Sequence, residues 1–258
     1  KNDWNFSIEW ILQNQKYSSV SSLIDRWERY KRVIKLNINN SASSNLDFND
    51  KVVLELGCGP LLGFAPIAIF NGAKKYYYSE PFLNLETLKS KKIKDKIFRN
   101  LYSELTLNYG HLMTFDVFYE KVISCQSIDK INQRIDLTIS NSVLEHIQKK
   151  DLLNLLDTAY TNSNKGSIYF HSVDFGHHLK GSKHLDRLYI NSQNNKLPTL
   201  NMLRKSDIEV LLKTTGYINN LVFTYKKGNY NEDKIHDSWR IYEKDNLESR
   251  VVFFLGYK

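Results

Sequence analysis

Cysteine and proline are scarce in this chain, and long apolar runs are missing. With 2 Cys and 4 Pro in 258 residues, Cys58 and Cys125 can build neither a disulfide framework nor a four-ligand zinc set. A reducing, cytoplasmic setting is the simple expectation. The longest nearly unbroken apolar stretch, Leu61 to Phe70, contains a Gly and a Pro and is too short to span a bilayer. The first residues are polar and aromatic, without a charged region feeding an apolar one, so no secretory signal is expected there. The chain opens at Lys1 rather than Met. No internal repeat and no dense basic block stand out, although the formal net charge is +8. Such an excess suits an acidic partner (a phosphorylated or uronic metabolite, nucleic acid, a membrane surface), or no more than a Lys-rich solvated face.

What is present is an ordinary globular composition, 41% hydrophobic and 25% charged, long enough to bury a core. Its 26 Asn look like the product of an AT-rich bacterial genome. Leu23, Trp27, Tyr30 and Ile34 recur at helical steps, which places one or two helices over Ser7 to Lys35. The polar segment Leu36 to Asp50 reads as a linker. This divides the chain into a helical cap, 1–48, and a main domain, 49–258, with a polar insertion at about 176–205. Beyond the linker, short apolar runs alternate with helical stretches. Strands are expected at Val52–Leu56, Lys75–Ser79, Val117–Cys125, Ile135–Ser140, Ser167–Val173, Tyr217–Tyr225 and Arg250–Tyr257. Helices are expected at Phe64–Phe70, through the Lys-rich region to Tyr109, at Leu152–Tyr160 and at Ser206–Thr215. Alternation of this kind predicts an α/β fold with a parallel sheet between helices.

The stretch "VVLELGCGPLLGF", Val52 to Phe64, runs from a strand into three glycines. A phosphate loop needs Lys and then Ser or Thr after its last glycine, whereas Gly63 is followed by Phe64 and Ala65. Gly57, Gly59 and Gly63 are spaced one residue longer than the dinucleotide fingerprint. Glu55, two residues before the first glycine, would repel a pyrophosphate and attract an ammonium or sulfonium. Glu80 ends the next strand, where an acid accepts hydrogen bonds from a ribose. A cation beside one acid and a ribose on another describe S-adenosylmethionine. Glu55 as a loop-bonding acid and Glu80 as a surface residue stay open as alternatives, and Cys58 reads as packing rather than as a nucleophile.

With these residues the sequence resembles the class I S-adenosylmethionine-dependent methyltransferases. "VLELGCGPLLG", with Glu55, Gly57, Cys58 and Gly59, looks like that family's first motif. "YYYSEP", with Glu80 and Pro81, resembles the second. Gln126 and Ser127 in "CQSID" sit where the family contacts adenine, and Asn141 and Ser142 in "IDLTISNSVLEHI" where it faces the sulfonium and substrate. The resemblance implies a Rossmann-like fold: a mostly parallel seven-stranded sheet, helices on both faces, the last strand antiparallel. It also implies S-adenosylmethionine as donor and S-adenosylhomocysteine as product.

The acceptor is read from the remaining motifs. "SNSVLEH" is not the Asn-Pro-Pro-Tyr of amide and nucleobase methyltransferases, and no RNA-binding signature is present, so nucleic acid is not the expected partner. His146 is a candidate base for a hydroxyl, or else caps its helix. "FHSVDFGHHLKGSKH" offers His171, Asp174, His177, His178 and His184. Asp174 and His177 are the catalytic candidates, and the spacing matches no standard metal set. Arg187, Arg204 and Lys205 are candidate cations for an anionic acceptor, with an ordinary surface position as the alternative. Trp27 and Tyr30 are lid candidates, or core. The expectation is O-methylation of a small anionic metabolite or glycan precursor, with a capsular sugar or phosphoramidate compatible with it. An RNA or protein methyltransferase, or a scaffold without turnover, is the alternative.

Overall fold

The computed structural model describes residues 7–14, 20–37, 46–176, 185–192 and 200–258. Its seven strands are β1 (Val52–Leu56), β2 (Lys75–Ser79), β3 (Gln126–Ser127), β4 (Ile135–Asn141), β5 (Ser163–Asp174), β6 (Ile218–Lys227) and β7 (Ser249–Tyr257). They form one mostly parallel sheet, flanked by helices, in the order β3-β2-β1-β4-β5-β7-β6. β7, the last strand, runs antiparallel to β5 and β6, as expected. The chain divides into two compact units, Lys1–Thr138 and Ile139–Lys258, with the division inside β4.

In the first unit β1 pairs in parallel with β2, and β2 with β3. All five residues of β1 are buried, which is why its sequence is an unbroken apolar run apart from Glu55. The helices of this unit are α1 (Ile8–Gln13), α2 (Val20–Asn37), α3 (Ala65–Phe70), α4 (Leu85–Lys89), α5 (Lys91–Ile93), α6 (Arg99–Tyr109) and α7 (Phe115–Ile123). A π-helical turn, Lys94–Phe98, joins α5 to α6. The stepped face of α2 is core. Trp27 stacks on Phe48 with centroids 4.0 Å apart, and Tyr30, 3% exposed, meets the edge of Phe64. Both residues thus have the packed surroundings of the core alternative.

The strand expected at Val117–Cys125 is α7 instead. Its β-branched and aromatic residues suit a strand, but Phe118, Tyr119 and Val122 share one helical face and are buried. Thr114 caps that helix by accepting from the Val117 N–H. The strand at this place in the sheet is only Gln126–Ser127.

The second unit holds β5 to β7 and the helices α8 (Lys149–Asn162), α9 (Lys205–Thr215) and α10 (Lys244–Glu248). A satellite core of Leu185, Leu188, Ile235, Trp239 and Leu247 ties its loops together, and the Trp239 indole donates to the Ile190 carbonyl at 2.7 Å. Among the described residues no helix is long and apolar enough to cross a membrane.

Candidate functional site

In the first unit, the chain leaves β1 through a coil in which four of the residues from Gly57 to Phe64 have positive φ. Gly57, Gly59, Leu62 and Gly63 have φ of 72°, 63°, 61° and 49°, a left-handed region open to glycine and costly to others. The Gly57 N–H donates to the Ser79 carbonyl at 2.8 Å, which ties the start of the coil to the end of β2. Two carboxylates then hold the loop from opposite sides of its sequence.

Glu55 holds it from inside. The side chain is 2% exposed, and its Oε2 accepts from the Phe64 N–H at 3.0 Å and the Tyr76 hydroxyl at 2.6 Å. Burial pushes its carboxyl up to about 8, against the smaller downward pull of those two donors. Gly63 closes over it, and a Cβ on Gly63 would collide with the carboxylate. Glu55 thus makes the contacts of a loop-bonding acid, and near neutral pH it is largely uncharged. Tyr76, the partner that sets its position, escaped sequence reasoning, because a tyrosine inside a Tyr-rich strand carries no signal of its own.

Glu80 holds the loop from the crevice side. It follows β2, is half-buried, and accepts from the Gly59 N–H at 3.0 Å and the Phe82 N–H at 3.3 Å. Beside it Gly59 has room to spare, since a Cβ there would meet no described atom within 4 Å. Pro81 is exposed next to Glu80. The third strand end supplies Gln126 and Ser127, paired with Tyr77 and Tyr78. Ser127 Oγ donates to Asp129 at 3.2 Å. Gln126 Oε1 is buried and has no hydrogen-bond partner among the described residues, an acceptor waiting for a donor. Cys58 and Cys125 are buried free thiols whose ionisation burial disfavours. A thiol in that state is a poor nucleophile.

The second unit collects the acceptor candidates around the ends of β4 and β5. Asn141 and Ser142 are half-buried, with Ser142 at a φ of 53° and its N–H bonded to the Ser172 carbonyl at 2.7 Å. The turn Leu144–His146 sends adjacent side chains opposite ways: His146 is exposed, and Glu145 is 0% exposed. Glu145 Oε1 accepts from the Asp174 N–H at 3.2 Å, while burial raises its carboxyl to about 8. Nothing in "LEH" distinguishes which of the two residues turns inward, so the sequence could not have nominated Glu145. Asp174 accepts from the Gly176 N–H at 2.8 Å and faces Arg250 at 3.8 Å. His171 is buried against Ser140 at 2.9 Å, and burial lowers it to about 3, so it stays neutral. His177, with His178 and His184, lies outside the described residues.

Arg187 and Arg204 are corrected by their burial, since both are 0% exposed and neither is a surface cation. Their guanidinium groups lie 5.4 and 5.2 Å from the Phe175 ring centroid. Arg187 donates to the Leu203 carbonyl at 3.1 Å. Arg204 Nη2 donates to the carbonyls of Asn246, Leu247 and Ser249 at 2.6 to 2.8 Å, closing the end of α10. These bonds are structural, while Arg187 Nε and Arg204 Nε and Nη1 are buried with no hydrogen-bond partner among the described residues.

A family model described as a methyltransferase domain matches residues 26–220. A comparison with curated proteins gives no significant match. Among solved structures, the chain is similar to magnesium protoporphyrin IX methyltransferase from Synechocystis PCC 6803 with bound S-adenosylhomocysteine. That likeness has 10% identity, 96% of this chain and 87% of that one covered, and a TM-score of 0.47. It is also similar to an S-adenosylmethionine-dependent methyltransferase from Mesorhizobium loti, at 12% identity, 88% and 96% coverage and a TM-score of 0.45. A third is the N-methyltransferase NodS from Bradyrhizobium japonicum WM9, at 9% identity, 90% and 86% coverage and a TM-score of 0.43.

Proposed function

Since the chain belongs to the family of methyltransferase domains, we propose that it transfers a methyl group from S-adenosylmethionine to a hydroxyl of a small anionic metabolite or glycan precursor. S-adenosylhomocysteine is the product left behind. The observation that carries the donor is the set of unmet needs around the glycine loop. Glu80 presents a carboxylate at a strand end, suited to the two hydroxyls of a ribose. Gln126 Oε1 is buried without a donor, suited to the amino group of adenine. Gly59 leaves open space between backbone and ligand.

The cofactor, when bound, supplies a methyl group already activated on a sulfonium. The chain's own residues then have to place the acceptor in line, exclude water and accept a proton. His146, exposed beside the end of β4, is nominated as the proton acceptor. Asp174, a quarter exposed, is nominated to orient it or the acceptor. An anionic acceptor agrees with the net charge of +8.

Gly59 provides a selective test of the donor site. Gly59→Ala is expected to cost about 1 kcal/mol of stability, from its positive φ alone. Affinity for S-adenosylmethionine should fall by more than about tenfold, because the new methyl group stands where the ligand would approach. Thermal melts and calorimetric titration read the two effects separately. The acceptor is tested by release of S-adenosylhomocysteine from panels of sugars, sugar phosphates, phosphoramidates, RNA and protein. Turnover with a small anionic hydroxyl compound is expected, and turnover confined to RNA or protein would overturn that part of the proposal.

A further inference from the structure

The acid that the loop hides is a more informative group than the acid it displays. Glu55 lies beneath Gly63 in a nearly closed space, with both of its hydrogen-bond donors on one oxygen, Oε2. The Tyr76 hydroxyl is itself buried, with its own ionisation strongly disfavoured, so it serves only as a donor. Few charged groups face this carboxyl: Glu80 from the end of β2, Arg26 from α2, and the un-ionised thiols Cys58 and Cys125. The influence of Glu80 raises Glu55 and that of Arg26 lowers it, and both are smaller than burial. The charge state of Glu55 therefore changes within the ordinary working range of pH and responds to any new charge placed over the loop.

Resting on S-adenosylmethionine as the donor, we propose that the Glu55–Tyr76 pair makes this loop discriminate by charge. The deprotonated carboxyl favours the cationic sulfonium donor over its uncharged thioether product. Substrate and product of methyl transfer differ by the methyl group and the charge that leaves with it, so contacts to ribose and adenine cannot separate them. A buried carboxyl can, because in a low-dielectric surrounding its charge acts through the loop without touching the ligand. The sign follows from linkage. A cation stabilises the ionised carboxyl, so donor binding draws a proton off Glu55; it strengthens as pH rises toward the ligand-free value near 8 and levels off above it. The product, with no charge on sulfur, lacks that term.

The measurement is the ratio of S-adenosylmethionine to S-adenosylhomocysteine affinity, by calorimetry, between about pH 6.5 and pH 9. The cofactor's own α-amino group titrates in this range in both ligands, so it largely cancels in the ratio. The ratio is expected to rise about tenfold in the wild-type protein. Donor binding near pH 7 should also release protons, seen as a dependence of the heat on buffer. Glu55→Gln, which keeps an oxygen for the Phe64 N–H, should flatten the ratio. Tyr76→Phe removes a donor to the carboxylate and should move the rise to higher pH, which keeps the test decisive if the first variant folds poorly. A constant ratio in the wild-type protein, or an unchanged rise in folded Glu55→Gln, overturns the inference while leaving the donor site intact. Absence of binding by either ligand at every pH overturns the donor assignment and the inference with it.

Discussion

Gly63→Ala should be the most damaging single-methyl substitution in the loop. At a φ of 49° any side chain costs about 1–2 kcal/mol. The added Cβ also collides with the Glu55 carboxylate, which cannot yield cheaply, because Oε2 is held by the Phe64 N–H and the Tyr76 hydroxyl in a buried space. Moving it strands at least one donor, worth about 1–3 kcal/mol. Together they come to about 2–5 kcal/mol, or a fall in Tm of roughly 10 °C for a chain of this size. Gly59→Ala, four residues away, shares the positive φ but meets no described atom, and serves as the internal control. A Tm for Gly63→Ala equal to that of Gly59→Ala would show that Glu55 does not fill the space beneath Gly63.

Glu80→Ala should do the reverse, leaving the fold nearly intact and removing the ligand. Among the described residues Glu80 bonds two backbone N–H groups at a half-buried strand end, where water can replace it, so the stability cost is expected to be under about 1 kcal/mol. Toward the proposed ribose the same carboxylate would make charge-assisted hydrogen bonds worth about 1.5–3 kcal/mol each. Affinity for S-adenosylmethionine should therefore fall about 100-fold. Titration of a variant whose melt matches the wild-type melt reads this directly. Unchanged affinity would remove Glu80 from the ribose and leave it a loop brace.

The contrast between Glu55 and Glu80 shows how far the sequence could be read. Both acids stood out by their spacing from the glycines, since each ends or nearly ends a strand beside the coil. Their separate tasks were not visible, because the direction of Glu55 is fixed by Tyr76, 21 residues away in sequence, and by the lack of a side chain on Gly63. Strand and helix alternation was legible where burial left a plain pattern, a wholly buried apolar run in β1 or a one-sided face in α9. It misled at Phe115–Ile123, where β-branched and aromatic residues favour a strand locally while the spacing of the buried face and the Thr114 cap favour a helix. The arginines misled for a related reason. Arg187 and Arg204 look like surface cations until the carbonyls that receive them are known, and those carbonyls come from segments that sequence patterns do not bring together.

The central claim is that the coil from Gly57 to Phe64, with Glu80 and Gln126, is a site for S-adenosylmethionine. Calorimetric titration of the folded wild-type protein with S-adenosylmethionine tests it most directly. Saturable binding of one ligand per chain, strongly weakened by Glu80→Ala, is the predicted result. A folded protein that gives neither heat nor thermal stabilisation with a large excess of S-adenosylmethionine would contradict the account.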